Sequence, residues 1–319
     1  VPSIAALIPY HDEGALLTRC LDSIARQTRP VDEILVYDDA SSVRPEPFVP
    51  DGLEVRVLRG ESNIGPARAR NVLARESRSD LLHFHDADDA FERTWCERVH
   101  AVMQDGAVDV FLSDVAFVFP DGRRVEGVVG LDRLAAGDDL ASFCIRGAML
   151  APAGTYRRAA FQRIGGYRET LWQSEDWDFH IRLALSGART RLTTDSLVVA
   201  HRRPTSRSEH GREVSESTLK AVALLSAEVP DRYRADLSDV AARMASRLFR
   251  LGARTEARRG FQLAFRLGRP SFDNESRAFR LVADIAGPYS AEWAGSLYRT
   301  VLPPAWRAWG LRKLGFPAQ

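Results

Sequence analysis

Hydrophobic positions in the first ninety residues come as short apolar runs separated by stretches of helical spacing. Ile4-Ala5-Ala6-Leu7-Ile8 is long enough for a buried strand and too short for a helix. Pro9 is expected to stop it. Leu16, Leu17, Cys20, Leu21 and Ile24 recur at helical spacing up to Gln27, and Arg29-Pro30 then turns the chain into a strand over residues 33–37. A third run at 53–58 leads through Gly60 and Asn63 to Gly65-Pro66, where a helix opens and continues to Ser77. The fourth run is Leu81-Leu82-His83-Phe84. This alternation predicts a mostly parallel sheet covered by helices.

Further along, Trp95–Met103 has helical spacing, and residues 108–119 form a β-branched and aromatic run. Pro120-Asp121-Gly122 turns that run back toward residues 124–129, so the sheet is expected to become mixed. Residues 131–150 show no readable period. A helix is predicted over Tyr156–Ile164, closed by Gly165-Gly166, and another over Glu175–Leu185, stopped at Gly187. Residues 189–199 return as strand or extended chain. His201–Arg212 is polar and arginine-rich, with Pro204 and Gly211, and reads as a loop and boundary. Beyond Ser215 only helical spacing remains, through Leu219, Val222 and Ala223, then Val240, Met244 and Leu248, then Phe261, Ala264 and Phe265. The expected organisation is an α/β domain over residues 1–212 followed by an α-helical region over 213–319.

Composition narrows the classes. A hydrophobic fraction of 45% in 319 residues supports a packed core, and a net charge of +1 gives no reason to expect nucleic acid as a partner. Cys20, Cys96 and Cys144 are odd in number and in no metal-ligand spacing, which suits a reducing compartment. No leader pattern opens the chain, and no run approaches the roughly 18 apolar residues of a membrane span. A soluble, cytoplasmic protein is the expectation. The last thirty residues set Trp293, Tyr298, Trp306 and Trp309 among Arg299, Arg307, Arg312 and Lys313. Such a tail either docks on the protein or touches the anionic inner face of a membrane as a peripheral contact.

Four clusters carry candidate chemistry. Asp86, Asp88 and Asp89 follow the fourth strand, and ligands of open α/β sheets are met at the carboxyl ends of strands. Mg²⁺ is usually held by one or two carboxylates plus substrate phosphates, so the turn reads as a metal-diphosphate site; it equally suits a helix-capping turn. Asp38-Asp39-Ala40-Ser41 ends the second strand, where a carboxylate can accept from a nucleobase N–H or cap the next helix. Asn63 to Asn71 is a Gly-opened helix whose N-terminus and arginines can hold a nucleotide, order the acidic turn, or simply face solvent. Ser174-Glu175-Asp176-Trp177-Asp178 places acids in a first helical turn, which the helix dipole favours whatever the function.

In this order and on these elements, the clusters resemble the inverting family 2 glycosyltransferases of the GT-A nucleotide-diphospho-sugar transferase fold. The matching marks are Ile8-Pro9-Tyr10-His11 with Glu13, Leu21-x-Ser23-Ile24-x-x-Gln27-Thr28, Asp38-Asp39-Ala40-Ser41, Asn63-x-Gly65-x-x-x-Ala69-Arg70-Asn71 and Asp86-Ala87-Asp88-Asp89. Phe161-x-x-Ile164-Gly165-Gly166-Tyr167 and Glu175-Asp176-Trp177-Asp178-Phe179-x-x-Arg182-Leu183 follow. The likeness runs from Ile4 to His201 and implies a mixed, mostly parallel sheet with flanking helices.

The resemblance also implies roles. Asp88 would bind Mg²⁺ or Mn²⁺, with Asp86 reaching the ribose or the metal's water shell. Asp39 would read the base edge, with Pro9, Tyr10, Glu13 and Arg70 around the same nucleotide. Asp176, beside Glu175, would be the general base. His201 falls near the metal or diphosphate, and Trp172 and Trp177 are candidates for acceptor stacking or for core packing. The implied donor is a nucleoside-diphosphate sugar, a UDP-sugar for preference, and the implied acceptor a glycan or lipid-linked saccharide. Ala40 stands where a glycine is common, and His11-Asp12 where an asparagine is common. A same-fold nucleotidyltransferase would be expected to show a Gly-rich basic loop after the first strand, which Pro9–Gly14 lacks. A non-catalytic sugar-nucleotide binder or scaffold, with the helical region as its working part, would be expected to have lost one of the acids. Oligomerisation through the helical region stays open.

Overall fold

A computed structural model describes residues 1–147, 149–203, 211–273 and 275–301, the last four of these by backbone alone. The chain divides into two compact units, residues 1–209 and 210–319.

The first unit is built on a nine-stranded sheet among the described residues: β1 (Ile4–Tyr10), β2 (Glu33–Asp38), β3 (Arg56–Arg59), β4 (Leu81–Phe84), β5 (Ala90–Phe91), β6 (Val110–Val118), β7 (Arg124–Val125), β8 (Gly154–Arg157) and β9 (Thr190–His201). The order is β3-β2-β1-β4-β8-β6-β9-β5, with β7 on the side of β6. β1 to β4 are mutually parallel, β8 is antiparallel to both neighbours, and β6 and β9 are parallel to each other. The sheet is therefore mixed, as the turn at residues 120–122 suggested.

β1 passes through Pro9 instead of stopping there. Leu7 accepts from His85 N–H on the β4 side, and Tyr10 accepts from Asp39 N–H on the β2 side. Pro9 is in phase with Leu7, so its missing N–H faces β4 beyond the last β1–β4 pair, Leu7 with Phe84. No ladder bond is lost. A second difference is Tyr156, expected in a helix but found in β8, paired with Leu82 and Val110. The helix begins only at Arg158.

Covering helices are α1 (Leu16–Ala25), α2 (Pro66–Glu76), α3 (Trp95–Met103), α4 (Asp132–Ala135), α5 (Leu140–Arg146), α6 (Arg158–Arg163) and α7 (Glu175–Leu185). Strand alternation sends Ile4, Ala6, Ile8 and Tyr10 into one core with Leu17, Leu21 and Ile24 of α1 and Trp95, Val99 and Met103 of α3. Another packing group is aromatic: Phe84, Tyr156, Phe161, Tyr167 and Phe179, with Tyr167 stacked on Phe179 at 4.4 Å. All three cysteines are free and buried. The unreadable stretch 131–150 holds α4 and α5, the latter capped by Asp139, whose side chain accepts from Ser142 N–H at 2.8 Å.

The second unit is helical: α8 (Gly211–Leu225), α9 (Arg234–Arg250), α10 (Arg254–Leu267), α11 (Arg277–Ala286) and α12 (Pro288–Val301). Val222, Leu225, Leu237, Ala241, Ala245, Leu248, Ala257 and Ala264 are buried. A Cβ at Gly260 would sit 2.9 Å from Ala245 Cβ, so glycine there lets α10 approach α9. Phe265 and Ala223, expected on the apolar stripe, are exposed. No described helix is long and apolar enough to cross a membrane. Trp306, Trp309, Arg307, Arg312 and Lys313, like Pro204 and Arg207, lie outside the described residues.

Candidate active site

The acidic turn leaves the carboxyl end of β4 and is fixed from three directions. Asp89 N–H donates to the Asp86 carbonyl at 3.1 Å, and Asp89 Oδ1 accepts from His201 N–H at 2.9 Å, joining the turn to the end of β9. Arg19 of α1 donates to the Asp88 carbonyl, and the Asp88 carboxylate pairs with Arg203. Burial, and then repulsion from Asp86, raises the Asp88 carboxyl above the ordinary range against the pull of Arg203. Asp89 is raised further, chiefly by burial, with Asp88 and Asp86 adding to it.

Arg70 links this turn to α7. Its Nη2 donates to Asp86 Oδ1 and its Nη1 to Glu175 Oε1, both at 2.7 Å, and it is only 4% exposed. Two carboxylates hold the guanidinium firmly charged despite its burial. Next to Glu175, Asp176 is pushed up to about 7 by burial and by the Glu175 charge, with Arg70 opposing. Ser174, just before, takes a left-handed backbone (φ 60°), an unfavourable conformation for a residue with a Cβ. Behind Asp176, His180 is held down at about 4 by burial. As a neutral ring it donates from Nδ1 to the Asp176 carbonyl at 2.7 Å and accepts from the Tyr156 hydroxyl at Nε2, also at 2.7 Å.

The Gly165-Gly166 turn is locked onto the same framework. Arg182 donates to the carbonyls of Ile164 and Gly166 and pairs with fully buried Asp178, while Asn71 of α2 both donates to and accepts from the Tyr167 backbone. A Cβ at Gly166 would meet Asn71 Oδ1 at 2.6 Å.

At the ends of β1 and β2, Asp39 accepts from Ile64 N–H at 2.7 Å and Gly65 N–H at 2.8 Å, one bond to each oxygen. It thereby closes the entry into α2. Asn63 Oδ1 accepts from Gly65 N–H, which leaves its amide to donate to His11 Nε2 at 3.0 Å; His11 then donates from Nδ1 to the Asp39 carbonyl. The pair at 11–12 is thus part of the loop scaffold. Ala40 occupies φ 57°, the left-handed conformation that glycine would adopt freely. Glu13 accepts from His11 N–H, and burial, with Asp88 and Asp86 adding, raises its carboxyl to about 7.

Several expected site residues sit differently. Tyr10 is buried, its hydroxyl donating to the Val43 carbonyl and accepting from Gly14 N–H, so it ties the loops after β1 and β2 together. Trp177 is 7% exposed and donates to the Ile145 carbonyl; it packs, and offers no open face. Trp172, 53% exposed, lies over Gly65, where a Cβ would come within 2.8 Å of its ring. Pro9 remains at the half-buried end of β1. His201 is not brought into a ligand set: no group of three His, Cys, Asp or Glu side chains among the described residues is arranged to hold a metal. Burial, with the charge of Arg19 adding, lowers the pKa of its ring against a hydrogen bond to the Val199 backbone. Arg19 and His180 were not singled out from the sequence, since nothing local marks an arginine or histidine whose partner lies on another element.

The residues fit a hard divalent cation only in company. Asp86 and Asp88 supply oxygen donors in the right place, and with fewer than three protein ligands the remainder must come from a diphosphate and water, which is how Mg²⁺ is commonly held.

The sheet order and its flanking helices are those of the GT-A fold. The family model for glycosyl transferase family 2 matches residues 5–164, and the chain belongs to that family. An uncharacterised glycosyltransferase of Haemophilus influenzae is 27% identical over 188 residues, covering 56% of this chain and 61% of that protein. The pre-mycofactocin glycosyltransferase of Mycobacterium tuberculosis is 30% identical over 210 residues, 61% of this chain and 42% of its own length. Among solved structures, S. aureus TarS 1-349 in complex with UDP-GlcNAc aligns with TM-score 0.64 at 19% identity, covering 93% of this chain and 91% of that one. The mannosyltransferase PcManGT of Pyrobaculum calidifontis, in complex with GDP-Man and Mn²⁺, aligns with TM-score 0.57 at 16% identity over 97% of this chain and 83% of its own.

Proposed function

We propose that the protein is a metal-dependent, inverting hexosyltransferase that moves a sugar from a nucleoside-diphosphate sugar, a UDP-sugar for preference, to a glycan or lipid-linked saccharide. The observation that carries this reading is Asp176, a carboxyl raised to about 7 and tied through Glu175 and Arg70 to Asp86 of the acidic turn. A carboxylate of that basicity can take the proton of an acceptor hydroxyl. The oxygen forms its bond to the anomeric carbon as the bond to the diphosphate breaks, and the electron pair leaves with the diphosphate. One displacement inverts the centre, so no protein nucleophile is needed.

Asp88, with Asp86, would hold Mg²⁺ or Mn²⁺, which as a Lewis acid would offset charge on the leaving diphosphate. Arg70 keeps Asp86 and Glu175 in fixed relation, and Asp39 holds the Asn63–Gly65 loop beside the base-binding pocket. Trp172 offers an exposed aromatic face for the acceptor. The nucleotide sugars bound by TarS and PcManGT, and the Mn²⁺ of PcManGT, support the donor and cofactor.

The test is a panel of UDP-, GDP- and TDP-sugars scored for hydrolysis and thermal stabilisation with Mn²⁺ and with chelator. Stabilisation by one nucleotide class that chelator abolishes is the expected outcome; metal-independent binding and turnover would remove Asp88 from its role.

An acceptor at a membrane would suit the second unit, where basic residues outnumber acidic ones while the first unit has the opposite balance. Leu281 and Ile285 of α11 and Trp293 and Leu297 of α12 are exposed at i, i+4 spacing. Binding to anionic but not neutral phospholipid vesicles in sedimentation is expected, and equal binding to neither kind would reject a peripheral membrane contact.

A further inference from the structure

Tyr156 of β8 and His180 of α7 lie buried behind Asp176. The Tyr156 ring is edge-on to Phe179 at 5.1 Å and tilted against Phe84 at 6.2 Å, surroundings that a phenylalanine would fill as well. Polar atoms in such a place need partners, and these have them in one sequence. A carbonyl oxygen can only accept, so His180 carries its proton on Nδ1, where it meets the Asp176 carbonyl at 2.7 Å. Burial keeps the ring neutral, so Nε2 is an acceptor and the Tyr156 hydroxyl donates to it, also at 2.7 Å. In an α-helix the carbonyl of residue 176 already serves the N–H of residue 180. The imidazole is a second donor on that oxygen, and forming the helix does not call for it.

The Asp176 carbonyl and the Trp177 N–H belong to one planar peptide unit. Its N–H end holds Asp176 Oδ1 at 2.8 Å, while its carbonyl end is held by His180. Rotation of that plane would swing the carboxylate, and the imidazole opposes the rotation. Tyr156 anchors the imidazole to the sheet in turn, opposite Leu82 of β4, the strand that delivers Asp86 and Asp88. Gly154, on the same face of β8, makes room for the tyrosine: a Cβ there would overlap its ring and hydroxyl.

We propose that Tyr156 and His180 are positioning residues for Asp176, locking the 176–177 peptide plane so that Oδ1 stays on the Trp177 N–H and Oδ2 meets the acceptor hydroxyl. This rests on the reading of Asp176 as the general base. The link is separate from Arg70, which reaches α7 through Glu175. Both side chains are buried, so their loss should lower kcat and spare binding.

The experiment measures Mn²⁺-dependent hydrolysis of whichever of the UDP-, GDP- and TDP-sugars the parent chain cleaves fastest, per site counted by binding of the matching nucleoside diphosphate. The variants are Tyr156→Phe, His180→Phe and His180→Asn, with Tyr156→Phe also made in an Asp176→Asn background. Misplacement of the base should lower kcat roughly tenfold in Tyr156→Phe and His180→Phe, with KM and nucleotide affinity held within about twofold. His180→Asn can present an amide N–H where Nδ1 stood and should recover most of the loss. Where Asp176 is already Asn there is no base to position, so Tyr156→Phe should cost nothing further. Should His180→Phe fail to fold, Tyr156→Phe, which removes a single oxygen, decides. Unchanged kcat per site in Tyr156→Phe, or an equal loss with and without Asp176, would leave the pair a merely structural role and overturn the proposal. Asp176→Asn alone separates the two levels: turnover equal to the parent's would end the base assignment and the positioning with it, whereas lost turnover keeps the assignment and leaves the Tyr156 and His180 variants to decide.

Discussion

Arg70 and Glu175 stand 105 positions apart in the chain and meet in a 2.7 Å hydrogen bond, nearly shielded from water. The other guanidinium nitrogen holds Asp86 at the same distance. One side chain thus couples the turn proposed to meet the diphosphate to the helix proposed to carry the base. Replacing Arg70 by Ala would leave the buried Glu175 carboxylate without its partner, while Asp86, 39% exposed, keeps its water; loss of a buried ionic partner typically destabilises by up to about 3–5 kcal/mol. Arg70→Lys keeps the charge but presents one ammonium where two separate bonds are needed. Denaturant unfolding should rank the proteins parent, Lys, Ala. Turnover of Arg70→Lys should fall by about tenfold or more while UDP affinity changes less; equal stability of all three would show that the bridge holds nothing.

Asp176 sets a pH dependence in both activity and stability. In its proposed role as general base it must be ionised, so turnover should rise with pH and level off above about 7, and Asp176→Asn should lose about 10²- to 10⁴-fold. Folding raises this carboxyl above its unfolded value, so its contribution to stability is complete below the unfolded pKa and is lost as pH rises through about 7. Asn carries no such dependence. The melting temperature of Asp176→Asn relative to the parent should therefore climb between pH 5 and pH 8. Glu13 titrates in the same range, and Glu13→Gln separates the two, since the acid limb should survive in that variant.

Gly65 answers two demands at once. It has φ 81°, and its missing Cβ leaves room for the Trp172 ring. Gly65→Ala should cost about 1–2 kcal/mol for the left-handed backbone alone, with more added by the clash. In a Trp172→Ala background the clash disappears and the backbone penalty stays. A double-mutant cycle by thermal unfolding should show Gly65→Ala hurting less without the indole; identical penalties in both backgrounds would mean that Trp172 does not rest on this turn.

Much of this was legible in the chain because it is local. The run Leu81–Phe84 followed by Asp86 and Asp88, and Glu175-Asp176 opening a helix, each lie within a few residues, and the structure joins one acid of each group, Asp86 and Glu175, through Arg70. What stayed hidden was long-range. The burial of Tyr10 depends on the Val43 carbonyl, 33 positions away, and that of Trp177 on the Ile145 carbonyl, 32 away. Pro9 reads as a stop in the sequence, yet its missing N–H is harmless here because β4 has already ended. Tyr156 was assigned to a helix because β8 has four residues, too few for a period of two to show before α6 begins. The long strand β9 was legible as strand or extended chain over 189–199, although its pairing with β6 slips around Asp114.

The most direct test of the central proposal is the anomeric configuration of the sugar first released from an α-linked nucleotide sugar, followed by proton NMR in the presence of Mn²⁺ before mutarotation. The β anomer should appear first with the parent protein, and its appearance should be slowed by at least about 10²-fold in Asp176→Asn. First release of the α anomer, or a rate indifferent to Asp176, would contradict a single displacement driven by that carboxylate.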